Sequence, residues 1–165
     1  MILRHLFRPK PVKAEAVYAK IVAATRQAYF YADLEVPDTI DGRFDLLVLH
    51  LALVVARLKG EDDNLRQQLI DVFCSDMDDN IRELGAGDLG VSKKVRRMAE
   101  AFQGRYVAYG ACVEPATMMA ALERNVYAGR TNSNVAKLAE YVLASRKRLS
   151  EQSIENIIAG KFVFA

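Results

Sequence analysis

Apolar residues return every three or four positions along nearly the whole chain, and two-residue alternation is not evident before the last few residues. That period is the mark of amphipathic helices. A first helix is predicted from Lys13 to Tyr31, with Val17, Ile21, Ala24 and Ala28 as its stripe. A loop with Pro37 follows, and Asp38, Thr39 and Asp41 offer oxygens to cap the next helix. That helix, DGRFDLLVLHLALVVARLKG, is the most apolar piece. From Leu46 to Ala56 its only polar residue is His50. The run is far short of the roughly 20 residues that a membrane span needs, so it reads as a core helix ended by Gly60. Arg43, His50 and Arg57 are seven apart and form one narrow polar seam. The seam is expected to meet solvent or polar neighbours, with His50 structural rather than catalytic.

A third helix is predicted over Asp63 to Leu84, burying Leu65, Leu69, Val72, Phe73, Met77, Ile81 and Leu84. A fourth starts near Val91 or Ser92 and carries Val95, Met98, Phe102, Tyr106 and Tyr109 on one side. Gly104 weakens it and Gly110 is expected to end it. Glu114-Pro115 opens a fifth helix with Met118, Met119, Leu122, Val126 and Tyr127, stopping by Gly129. Asn132, Ser133 and Asn134 are candidate caps for a sixth, which uses Val135, Leu138, Val142 and Leu149. A helical turn over Ile154 to Ile158 and an extended FVFA tail complete the chain. The predicted fold class is therefore all-α: a single compact bundle of about six helices over residues 13–165, with a short extended tail. Residues 1–12 form a basic N-terminal segment expected to be flexible.

Composition adds little, because 52% apolar and 27% charged residues are ordinary for a globular domain of 165 residues, and the net charge is only +2. The distribution is more informative. Residues 61–83 hold eight acidic and two basic side chains, whereas residues 92–105 hold five basic and one acidic. Such polarity suits oriented association. Cys74 and Cys112 lack metal or redox spacing and are expected to be reduced. Two histidines cannot build a zinc site. The start, MILRHLFRPKPVK, lacks the apolar core of a signal peptide but mixes apolar and basic residues that suit weak contact with an anionic membrane.

Three motifs suggest chemistry. GAGDLG, residues 85–90, fits the dinucleotide fingerprint, yet that fingerprint needs a strand before it, and here an amphipathic helix precedes it. Gly85, Gly87 and Gly90 instead read as a structural turn between two helices. Asp76, Asp79 and Glu83 would suit a magnesium-dependent isoprenoid-diphosphate enzyme, but no second acidic motif faces them. The basic helix 92–105 could bind RNA through phosphates, although its aromatic stripe reads as core.

The blocks DTIDGRFDLLVLHL and ELGAGDLGVSKKVRRMAEAFQGR are long and unusual. With MAALERNVYAG and NVAKLAEYVLASRKRL, they make residues 12–150 resemble the ubiquinol–cytochrome c chaperone family, assembly factors for cytochrome b of respiratory complex III. The resemblance implies an all-helical, non-enzymatic chaperone without cofactor, metal or small-molecule substrate. Implied partners are cytochrome b or another complex III subunit. The ribosome and a small partner protein are further ones, as in mitochondrial members. The compact form looks bacterial, with an expected location in the cytoplasm, peripheral at the inner membrane. Candidate partner-binding residues are Lys93, Lys94, Arg96, Arg97 and Arg105 for charge, and Met98, Met118 and Met119 for adaptable apolar contact.

Overall fold

A computed structural model describes residues 12–85 and 87–165, with residues 88 and 89 described by backbone alone. The expected basic segment thus lies outside the described residues except for Val12, which opens the first helix. Among the described residues there are eight helices and no strand. They are α1 (Val12–Thr25), α2 (Ala28–Ala32), α3 (Ile40–Leu58), α4 (Asp63–Glu83), α5 (Asp88–Ala111), α6 (Pro115–Asn125), α7 (Val135–Glu151) and α8 (Ile154–Ile158). Six long helices and two single turns make the expected all-α bundle.

The apolar helix α3 is the centre, packed by α1, α4, α5 and α7. From Asp45 to Val55 every residue is buried. Thr39 caps it by accepting from the Gly42 amide at 3.1 Å. Gly42 is needed for space as well: a Cβ there would lie 1.9 Å from the Pro37 carbonyl oxygen. No helix among the described residues is long and apolar enough to cross a membrane.

The polar seam of α3 meets polar partners at each point. Arg43 pairs with Asp38 at 2.7 Å. His50 is fully buried: its Nδ1–H donates to the Leu46 carbonyl at 2.8 Å, and its Nε2 accepts the Tyr141 hydroxyl at 2.8 Å. Arg57 donates to the carbonyls of Leu149 and Gln152 at 3.0 and 3.2 Å, supplying partners and positive charge at the C-terminal end of α7. Arg146 does the same for α5, bonding the Cys112 and Tyr109 carbonyls at 2.7 and 2.6 Å. Cys74 and Cys112 are free thiols.

Five boundaries or faces differ from expectation. The single helix predicted over Lys13 to Tyr31 breaks after Thr25. Gln27 is extended, and the Tyr31 hydroxyl takes the Thr25 carbonyl at 2.9 Å. Phe30, not Ala28, therefore turns inward. Leu84 is 69% exposed rather than buried, because α4 ends at Glu83 before its stripe reaches it. Helix α5 starts at Asp88, because the Gly87 carbonyl already accepts from Gly90 and Val91. It also runs through Gly110 to Ala111. Between α4 and α5, Gly85 takes φ +83°, a conformation that favours glycine, and its amide bonds the Arg82 carbonyl at 2.9 Å.

Candidate client-binding surface

Helix α5 packs on α3, α4 and α6 with Phe102 and Tyr109 in the shared core and Met98 and Tyr106 half-buried beside them. That leaves a long outer face. Lys93, Arg96, Arg97, Glu100, Gly104, Val107 and Ala111 follow the i, i+3, i+4, i+7 rule of one helix surface, and all seven are exposed. Lys94 is exposed at its edge. The only acid on this face, Glu100, stands 3.5 Å from Arg96, and both side chains remain mostly in water. The face divides in two: its first half is basic, its second half small and apolar. Val107 is 59% exposed, and Val113, just past the helix, is 70% exposed.

Gly104 and Gly110 sharpen this picture. A Cβ at either would meet nothing within 4 Å, so nothing inside the fold asks for glycine there. Gly104, inside the helix, nevertheless costs about 1 kcal/mol of helix stability relative to alanine. Small residues on a helix let another backbone come close.

The remaining candidates separate from this face. Arg105 turns inward and donates from Nη2 to Asp45 Oδ1 at 2.6 Å, with its guanidinium 5.5 Å from the Phe44 ring centre. It is engaged in tying α5 to α3. Burial raises the Asp45 carboxyl to about 6, against the lowering influence of Arg105. Met118 is fully buried between helices, because α6 turns that side toward the core. Met98 and Met119 are half-buried against the core. The structure therefore brings together Lys93, Lys94, Arg96 and Arg97, and sets Arg105 and Met118 apart from them. The exposed Val107 and Ala111 were not among the sequence candidates. Their spacing from Lys93, Arg97 and Gly104 was the available signal, hidden because Gly104 was read only as a weak point.

Of the acidic candidates, Asp76 serves the fold. The Tyr18 hydroxyl donates to Asp76 Oδ2 at 2.7 Å, linking α1 to α4, and Asn80 donates to the other oxygen at 3.1 Å. Burial, then the Asp76 bond, holds the Tyr18 hydroxyl far above its usual pKa. Asp79 and Glu83 point to solvent. Among the described residues no three His, Cys, Asp or Glu side chains are grouped to hold a metal ion.

Fold and surface together describe an all-α protein in which, among the described residues, the outer face of α5 is exposed and has two parts. Residues 32–164 match the family model described as Ubiquinol-cytochrome C chaperone, and the chain belongs to that family of chaperones. It is 27% identical over 148 residues to Protein CBP3, mitochondrial, of Saccharomyces cerevisiae. That match takes in 82% of this chain and 44% of the yeast protein, so the chain spans less than half the length of that relative. The crystal structure of the Cbp3 homolog from Brucella abortus is similar with a TM-score of 0.85 and 39% identity, covering 94% of this chain and 90% of that one.

Proposed function

We propose that this chaperone holds a complex III component, cytochrome b, before assembly, and that the outer face of α5 is where it does so. Family membership supports the complex III assignment. The observation that carries the site is the face running from Lys93 to Ala111, which no described residue covers. Its apolar half, with Gly104, Val107 and Ala111, suits close approach of an apolar helix of the client. Its basic half steers the encounter toward negative charge nearby. The chain acts by binding alone, without a cofactor.

Deleting the gene and measuring assembled cytochrome b by its haem spectrum tests this reading. Assembled cytochrome b should fall severalfold. Restoring the gene with Lys93, Lys94, Arg96 and Arg97 all changed to Ser should recover only part of it. Unchanged cytochrome b in the deletion strain would sink the client assignment, and full recovery by the Ser variant would sink the role of the cations.

A further inference from the structure

Residues 161–165 are held in a way unlike the rest of the core. The segment leaves α8 through Gly160, at φ +69°, and runs extended. Its alternate residues face opposite ways, as in a strand: Phe162 is fully buried, Phe164 is 9% exposed, and Val163 between them is 45% exposed. Among the described residues no strand pairs with it. Side chains of the α7 region take its backbone instead. The Gln152 carboxamide grips Val163 at both ends, donating from Nε2 to the carbonyl and accepting the amide on Oε1, each at 2.9 Å. Ser145 Oγ accepts the Ala165 amide at 3.0 Å. The Gln152 Nε2 is also held by the Arg148 carbonyl at 2.9 Å, so the clamp is oriented by α7 itself.

The floor of the slot is apolar. The Phe164 ring meets His50 edge-on at 4.8 Å and Phe162 at 5.6 Å. His50 is uncharged at neutral pH, because burial lowers it to about 4. The polar bonds engage only main-chain atoms, so they read an extended backbone and no particular sequence. The two aromatic seats supply the selectivity. This division of labour is that of peptide recognition by an extended segment.

We infer that this slot is a binding site for an extended aromatic-x-aromatic segment of another polypeptide, and that residues 161–165 occupy it in cis until displaced. The tethered segment competes at an effective concentration in the millimolar range, so the site is masked in the resting chain and opens by local release of that segment. The inference is independent of which client the outer face of α5 holds.

The test is fluorescence anisotropy with a labelled, C-terminally amidated peptide, Lys-Phe-Val-Phe-Ala. It is titrated against the full chain and against a full-length Phe162→Ser/Phe164→Ser variant. The variant should stay helical by circular dichroism and bind the peptide at least tenfold more tightly than the parent, and a peptide with both Phe replaced by Ser should not bind. Equal binding to both chains, no binding to the variant, or a variant that no longer folds would each overturn the inference. The last result would make the segment an ordinary part of the core. Hydrogen exchange reads the same point in the unaltered chain. The Val163 and Ala165 amides should exchange at least tenfold faster than those in the middle of α3. Exchange of both at one common rate would mean that the slot never empties, and would also overturn it.

Discussion

The Tyr141 hydroxyl of α7 donates to Nε2 of His50 on α3 across 2.8 Å, and the other ring nitrogen of His50 is committed to the Leu46 carbonyl. This fixes a neutral imidazole with both nitrogens satisfied inside the core. Phe30 and Phe164 close over the ring edge-on, at 5.3 and 4.8 Å. Burial also pushes the Tyr141 hydroxyl up to about 12, so it remains a donor at any physiological pH. Tyr141→Phe strands the Nε2 acceptor and should cost about 1–3 kcal/mol in chemical denaturation. A loss under 0.3 kcal/mol would mean that water replaces the hydroxyl freely.

The same histidine gives a pH dependence whose sign is definite. Its folded pKa of about 4 lies below the usual 6.5, so as pH falls the unfolded chain takes up the proton first. His50 therefore contributes about 3 kcal/mol that is present above pH 6.5 and lost on the way down to pH 4. Asp45 works the other way. Its folded pKa of about 6 lies above the usual 3.8, so its contribution is full below 3.8 and is lost as pH rises through 6. Between about pH 6 and 4 the two slopes oppose. Thermal melts should show a shallower acid slope for the parent chain than for Asp45→Asn, which keeps only the histidine effect. Equal slopes would contradict this pairing of opposed groups.

Asp45 also has a partner to lose. Its carboxylate and the Arg105 guanidinium are both largely out of water, with side-chain exposures of 12% and 21%. Removing one member leaves a buried charge alone, which costs about 3–5 kcal/mol where burial is complete. Arg105→Met should thus destabilise by at least about 2 kcal/mol at pH 7.5. Adding Asp45→Leu to it should restore part of that loss. A double variant as unstable as the sum of the single ones would show that the pair is not coupled.

Gly42 carries a steric prediction. A methyl group there would sit 1.9 Å from the Pro37 carbonyl oxygen, and a backbone atom cannot move aside as a side-chain tip does. Gly42→Ala should destabilise by about 1–3 kcal/mol, the usual cost of overpacking, although alanine is the better helix former. Gly104→Ala is the internal comparison: with open space around its Cβ, it should stabilise by up to about 1 kcal/mol. Opposite signs are the expected urea-denaturation result, and a stabilised Gly42→Ala would refute the steric account.

These residues also show what the sequence could and could not convey. The core helix α3 was legible because eleven nearly uninterrupted apolar residues, bounded by caps and Gly60, leave few alternatives. The seam of Arg43, His50 and Arg57 was legible because a spacing of seven survives any reasonable helix register. Its partners were not, since Tyr141 and Leu149 are about 90 positions away and nothing local marks them. Likewise the charge of Arg105 looked like part of the basic face until Asp45, sixty residues earlier, claimed it. Met118 and Met119 are adjacent and equally apolar, and only the packing of α6 decides that the first is buried. The break after Thr25 depends on a long-range fit that puts Phe30 into the core, which helical periodicity alone does not express.

The most direct test of the central claim is site-specific photo-crosslinking from Val107. A benzoylphenylalanine at this exposed position should leave the fold unchanged, because surface substitutions typically shift stability by less than about 0.5 kcal/mol. In cells making cytochrome b, it should give a crosslinked product that carries cytochrome b and disappears when Gly104 is also changed to Leu. The same probe at Glu155, exposed on α8, should give none. Equal crosslinking from Glu155 and Val107, or none from Val107, would contradict the assignment of the outer face of α5 as the surface that holds the client.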